Sequence, residues 1–246
     1  MRLDQYLVEK GLVKSRTCAK ALILEGKVST NGHVLNKPSL EVKRELLESL
    51  EQNLTLIPRR FISRAGQKLW HYLEKYPIDC YNKVILDVGS STGGFAQVLL
   101  EKGAMRVVCI DVGKDQLDPI LRIHPKIELH EKCDIRHFKT STIHDLLTCD
   151  VSFISLHLLL KTLLPLSRRY LLLFKPQFEV GRFVKRNKRG VVMDLNAIRQ
   201  CLENFIREAQ GYGLKVVRIE ESSLKGKEGN VEFFVDLHRG LSLSLP

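Results

Sequence analysis

Four acids and one lysine stand in or just after short apolar runs. Asp87 lies within Val84-Ile-Leu-Asp-Val88, Asp111 follows Met105–Ile110, and Asp134 follows residues 127–133. Asp150 follows Leu146-Leu-Thr-Cys149, and Lys175 follows Tyr170-Leu-Leu-Leu-Phe174. Short apolar runs bounded by turn residues suit buried parallel strands. In open α/β sheets the ligand crevice lies outside the carboxyl ends of those strands. Residues at these ends are therefore aimed at one common edge.

The first run continues into a glycine loop, Gly89-Ser-Ser-Thr-Gly93-Gly94, and then an apolar helix from Phe95 to Leu100. A dinucleotide site needs G-x-G-x-x-G; this chain has G-x-x-x-G-G. Asp87 beside the loop repels a pyrophosphate and attracts a cation. S-adenosylmethionine carries an ammonium and a sulfonium but no phosphate. The pattern D-x-G-x-x-x-G-G thus reads as a methyl-donor loop, with Asp87, Gly89, Ser91, Gly93, Gly94 and Phe95 as donor contacts. A purely structural glycine turn is the alternative. Asp111 stands where an acid takes the ribose hydroxyls of an adenosyl ligand, and Asp134 is placed to accept from the adenine amino group.

The elements that must hold these residues alternate strand and helix, which predicts a Rossmann-like α/β sheet with helices on both faces. Ahead of the first strand, Leu69, Tyr72, Leu73 and Tyr76 recur at helical spacing, so Lys68 sits near a helix start and Pro77 ends that helix. After Asp150 come a helix over 156–166 and the strand that ends at Lys175. Asp194 caps a long helix, 215–219 form a sixth strand, and 231–235 form a last strand, antiparallel to the others and carrying Glu232. Lys68, Asp150, Lys175 and Glu232 then share an edge.

The chain has 246 residues with a net charge of +11, and its pI is about 9.4. The obvious partner of such a field is a polyanion, although charge alone fits a basic protein without nucleic acid equally well. Between Glu179 and Gly190 lie Arg182, Lys185, Arg186, Lys188 and Arg189 against a single acid, a loop suited to phosphates. The six cysteines form no C-x-x-C pair, and the histidines show no ligand spacing, so no metal site is expected. The N-terminus has charges where a signal peptide needs an apolar core. The apolar stretches are too short to span a bilayer. A cytoplasmic protein with no membrane partner is the expectation.

Residues 1–58 read as a separate small α+β domain with 59–246 as the second. Leu3, Tyr6 and Leu7 make a short helix, Ser15 caps another over 16–25, and Asn31-Gly32 signals a hairpin. Lys14, Arg16, Lys20 and Lys27 lie on the second helix and its flanks. Residues 1–60 carry 11 Lys/Arg against 7 Asp/Glu. Residues 41–58 lack clean periodicity and read as the end of the domain and a linker, with Pro58 at the boundary. The R-L-D-Q-Y-L start, the S-R-x-x-A-K-x-L-I helix and the G-K-V-x-x-N-G turn resemble the RNA-binding domain named after ribosomal protein S-four. That resemblance makes Arg16, Lys20 and Lys27 phosphate contacts. Arg59, Arg60 and Arg64, at the start of the second domain, join them as expected RNA contacts.

Five further motifs follow in order: S-R-A-G-x-K-L, D-V-G-x-S-T-G-G-F, D-V-S-F-I-S-L, K-P-Q-F-E and G-N-V-E-F. Together with the small domain they resemble the TlyA family of ribosomal RNA 2′-O-methyltransferases, sometimes called hemolysins, over nearly the whole chain. The resemblance implies a class I methyltransferase domain of FtsJ type, S-adenosylmethionine as cofactor, ribosomal RNA within ribosomal subunits as partner, and a catalytic tetrad. Matched by motif, the tetrad falls on Lys68, Asp150, Lys175 and Glu232. A ribose hydroxyl is a very weak acid, and a lysine is a poor base at its ordinary pKa of about 10.4; a second cation and partial burial favour its neutral form. Lys175 is expected to take the proton, Asp150 to hold Lys175, Lys68 to ease ionisation, and Glu232 to align one of the lysines. The implied target is a cytidine in 16S or 23S rRNA. Ala65 stands where the family often has glycine. The chain starts directly at Arg2-Leu-Asp, which leans toward the large subunit alone. A monomer is favoured. A membrane-active haemolysin and a non-catalytic ribosome assembly factor are the competing readings.

Overall fold

A computed structural model describes residues 1–13, 15–57 and 60–240. Lys14, Pro58 and Arg59 lie outside the described residues. The chain divides into two compact units, Met1–Arg60 and Phe61–Pro246.

In the first unit, α1 (Leu3–Glu9) and α2 (Arg16–Leu24) precede β1 (Val28–Thr30) and β2 (His33–Val34). Ser15 caps α2 by accepting from the Cys18 amide. Asn31 and Gly32 both take positive φ, the backbone that a two-residue hairpin turn demands. The segment after residue 41, expected to end the domain and lead into a linker, carries regular structure over 44–56. It forms α3 (Arg44–Asn53) and β3 (Leu54–Leu56), and β3 pairs with β1 to complete a sheet of order β2-β1-β3. Leu46, Leu47 and Leu50 are the apolar stripe of α3. Leu50 is buried with Leu3, Tyr6, Leu7, Leu22, Ile23 and Val28.

In the second unit, α4 (Arg64–Lys75) leads to β4 (Val84–Val88), α5 (Gly94–Glu101), β5 (Arg106–Ile110), the short α6 (Pro119–Arg122), β6 (Ile127–His130) and β7 (Leu146–Cys149). Then come α7 (Leu156–Leu163), β8 (Arg169–Phe174), the short α8 (Pro176–Glu179), α9 (Leu195–Gly211), β9 (Leu214–Glu221) and β10 (Phe233–Arg239). The sheet order is β6-β5-β4-β7-β8-β10-β9. β4 pairs in parallel with both β5 and β7, so the chain winds outward one way and then the other. β10 is antiparallel to β8 and to β9 and lies between them.

Alternation along the strands sends apolar side chains to both faces. Leu86, Val88, Leu172 and Phe174 pack with α7 and α9. Ile85, Leu171, Leu173 and Phe234 pack with α4 and α5. The helices therefore cover both faces. A Cβ added to Gly66 of α4 would lie 2.8 Å from the Gly94 carbonyl oxygen of α5. Only glycine there lets the two helices cross so closely.

Candidate active site

At the switch point, where β4 parts β5 from β7, a cavity of about 380 Å³ opens. Ligands bind at this place in doubly wound sheets. Val88, Ile110, Val112, Ile135, Val151 and Leu159 supply apolar wall; Asp111, Asp134 and Asp150 supply carboxylates. Among the described residues no lysine, arginine or histidine lines it. An apolar slot with acids and no cations fits an adenosyl ligand with a positive end and disfavours a phosphate, so the residues present fit S-adenosylmethionine. A Cβ on Gly89 would lie 2.7 Å from the Asp150 carbonyl oxygen, which shows how closely the loop passes the next strand end.

The expected donor contacts divide into two groups. Gly89, Ser91, Asp111 and Asp134 line the cavity. The Ser91 amide donates to Asp111 Oδ2 at 2.8 Å, and the Gly113 amide to Asp111 Oδ1 at 2.7 Å. Asp134 is clasped by Arg136 through contacts of 2.5 to 3.1 Å. This charge-assisted pairing pulls its carboxyl down to about 2.

Asp87, Gly93, Gly94 and Phe95 lie behind the cavity lining rather than in it. Asp87 points into the sheet: it is 0% exposed. Its Oδ1 accepts from Thr148 Oγ1 at 2.7 Å, and its Oδ2 has no well-formed hydrogen bond among the described residues, the Ala96 amide being its weak neighbour. Burial pushes its carboxyl up to about 7, with Asp150 and Asp111 adding repulsion and Thr148 opposing. A Cβ on Gly93 would collide with the side chains of Leu117 and Leu121, and one on Gly94 with Ser63 and Gly66. Phe95 is buried against Phe234. These four residues shape the loop from behind.

Beside the cavity stand two ion pairs. Lys175 Nζ lies 2.6 Å from Asp150 Oδ1, off-axis for a hydrogen bond, and donates to Ser152 Oγ at 3.0 Å. Lys68 Nζ meets Glu232 Oε2 at 2.5 Å. Both lysines and Glu232 are buried. The β8–β10 register pairs Phe174 with Phe233, so one step on it sets Lys175 across from Glu232. The structure thus decides that Glu232 holds Lys68 rather than Lys175. Lys68 is positioned by the first turn of α4, whose cap Ser63 accepts from the Gly66 amide.

Several residues beside these escaped sequence reasoning. Ser152 bridges Lys175 and the cavity wall. Phe153 also lines the cavity, 92% exposed, with φ +66°. A bulky residue in that region stores strain, and such strain gathers at functional sites. Its ring meets Phe178 at 5.3 Å. Glu179 ties α8 back to the start of α7: it accepts from Ser155 Oγ and from the Leu156 amide, the latter at 2.8 Å. Burial raises its carboxyl, against those two hydrogen bonds. The D-V-S-F-I-S and K-P-Q-F-E motifs contained these residues; only folding shows that they meet.

The expected RNA contacts also divide. Arg16 is tied to Asp4 at 3.1 Å and Lys27 to Glu25 at 3.4 Å, while Lys20 is exposed. Arg60 is exposed. Arg64 donates to the Lys225 carbonyl at 2.6 Å. Arg182, Lys185, Lys188 and Arg189 are exposed. Arg186 instead donates to the carbonyls of Gln177, Gly181, Arg182 and Val184. Arg64 and Arg186 therefore brace their own surroundings.

Residues 61–239 match the model of the FtsJ-like methyltransferase family, and residues 1–46 match the S4 domain. The fold and its cavity are those of an S-adenosylmethionine-dependent methyltransferase. The chain is 42% identical over 250 residues to the 23S rRNA (cytidine-2′-O)-methyltransferase TlyA of Campylobacter jejuni, covering 95% of this chain and 98% of that protein. It is 37% identical over 240 residues to the 16S/23S rRNA (cytidine-2′-O)-methyltransferase TlyA of Mycobacterium tuberculosis, covering 95% and 88%. A solved structure of a hemolysin-named protein of Streptococcus thermophilus superposes with a TM-score of 0.73 at 31% identity, covering 97% of this chain and 88% of that one. The chain belongs to the FtsJ-like methyltransferases and, among them, to the TlyA family. No helix among the described residues is long and apolar enough to cross a membrane.

Proposed function

We propose that the chain methylates the 2′-hydroxyl of a cytidine in ribosomal RNA, with large-subunit RNA as its target. One observation carries the reading: Asp150 and Ser152 belong both to the donor cavity and to the buried Lys175 cluster. This contact supports a role for the Lys175 side chain beside the bound donor. S-adenosylmethionine supplies an electrophilic methyl group when bound. Asp111 would hold its ribose end and the apolar wall its adenine. Lys175 would take the proton that the 2′-hydroxyl releases as it accepts the methyl group in place of the donor's sulfur. Asp150 and Ser152 hold the Lys175 side chain on its target. The Lys68–Glu232 pair completes the acceptor pocket without adding net charge. One copy carries every residue this needs, so a monomer suffices. The unit 1–60 grips RNA through Lys20 and its neighbours. The large-subunit preference is supported by the higher identity to the relative named for 23S rRNA. Ribosomal subunits as substrate imply work in the cytoplasm.

The test is transfer of labelled methyl from S-adenosylmethionine to each isolated ribosomal subunit. Positions are then mapped by primer extension. Lys175→Ala is expected to lower turnover by about 10²- to 10⁴-fold, the usual worth of a positioned base, with donor affinity kept. Undiminished transfer would remove Lys175 from its role. Methylation of the small subunit alone would overturn the target.

A further inference from the structure

The loop after α8 is a built structure. Asn187 accepts the Arg189 and Val191 amides through Oδ1, and Lys185 accepts the Met193 amide at 3.1 Å. Arg186 bridges across to Val192 through the backbone, and its guanidinium gathers four carbonyls, one of them Gln177 of α8 at 3.3 Å. From the far side, buried Asn230 accepts the Val192 amide at 2.9 Å and donates to the Gly190 carbonyl. Asn230 lies two residues before Glu232. The loop is thus braced at one end to the helix that follows Lys175 and at the other to the segment that carries Glu232.

On this braced loop sits Phe183, 97% exposed. No ring contact involves it among the described residues, and no ion pair there engages Arg182, Lys185, Lys188 or Arg189. Four free cations around a bare ring on a rigid support match a nucleic acid strand, with phosphates for the cations and a base for the ring. The cation density argues for RNA over an apolar protein partner.

We propose that Phe183 is a stacking platform for an unpaired base of the substrate RNA, and that Arg186 serves the loop as an internal strut. The inference rests on the ribosomal RNA reading above. The ring stacks on a base flanking the target while the cations hold its phosphates, which sets the RNA register relative to Lys175.

The test compares Phe183→Ala, Phe183→Leu, Phe183→Tyr and Phe183→Trp in the full chain. Loss of one stacked base is worth about five- to a hundredfold in affinity. The Ala and Leu variants are expected to raise KM for ribosomal subunits by that factor, with kcat and donor affinity near wild type. Tyr and Trp are expected to restore KM. A KM for Phe183→Ala within twofold of wild type would overturn the proposal, and so would full retention by Phe183→Leu, since that indicates apolar contact without stacking. A second readout is quenching of a single-stranded RNA oligonucleotide labelled with 2-aminopurine. Wild type is expected to quench it and Phe183→Ala not; equal quenching by both overturns the proposal. This binding readout stands even where wild type methylates no subunit, an outcome that defeats the acceptor assignment alone.

Discussion

Asp87 offers the sharpest physical test of the donor site. Its carboxyl ionises at about 7 in the folded chain, against an ordinary value of 3.8, because burial in the sheet disfavours the charge. Between those two values the folded chain keeps the proton and the unfolded chain has released it. Rising pH through that window therefore favours unfolding. The group's destabilising effect is absent below pH 4, grows across the window and is complete above pH 7. A shift of about three units corresponds to about 4 kcal/mol.

Asp87→Asn removes this dependence. Its amide oxygen still accepts from Thr148, and its NH2 takes the place of Oδ2, at a cost of about 1–3 kcal/mol for an unpaired donor. The variant is expected to match or fall below wild type at pH 4.5. Its stability relative to wild type should then rise by up to about 4 kcal/mol by pH 8. Taking the difference at each pH cancels the titration of groups remote from Asp87 and leaves that of Asp87 with its neighbours Asp150 and Asp111. The chain's one tryptophan, Trp70, lies on α4, so its fluorescence during urea unfolding reports on the methyltransferase unit without the small domain. Parallel pH profiles for the two proteins would refute the argument that Asp87 is charged at the expense of stability.

Glu232→Ala strands the Lys68 ammonium in a buried site and is expected to destabilise by about 3–5 kcal/mol. The double variant Lys68→Met/Glu232→Leu should recover most of that stability in urea titration but not methyl transfer. Gly66→Ala drives a methyl group against the Gly94 carbonyl; a loss of about 1–3 kcal/mol in thermal unfolding is expected. Its kcat should drop as well, because Lys68 lies two residues further along the displaced helix. Phe153→Gly relieves a left-handed backbone at a residue that buries almost nothing. The relief is about 1–3 kcal/mol, offset by about 0.5–1 kcal/mol of glycine entropy. Its melting temperature should equal or exceed that of wild type, while KM for subunits rises.

Much of the site was legible wherever a residue's role depends on near neighbours in the chain. The glycine loop, the acids at strand ends, the Asn31-Gly32 hairpin and the caps Ser15 and Asp194 all act over a few residues. In each case their chemistry names the local structure. The helix and strand over 44–56 were not legible, for a related reason. Three leucines on a short, highly charged helix give too little contrast to betray α3, and β3 is a strand only because β1 offers it hydrogen bonds.

The motifs alone determined that a methyl donor and a set of paired lysines and carboxylates belong to this chain. Tertiary structure decided how they are used. Lys68 and Glu232 are 164 positions apart and Lys175 and Asp150 are 25. Which carboxylate takes which lysine follows from α4 crossing α5 at two glycines and from β10 entering between β8 and β9. Asp87 turned inward because strand alternation gives Val88, not Asp87, to the cavity side. Arg186 became a strut because four carbonyls of its own loop converge on it. Charge and residue type are properties of the sequence; the direction in which a side chain points, and what it meets there, belongs to packing.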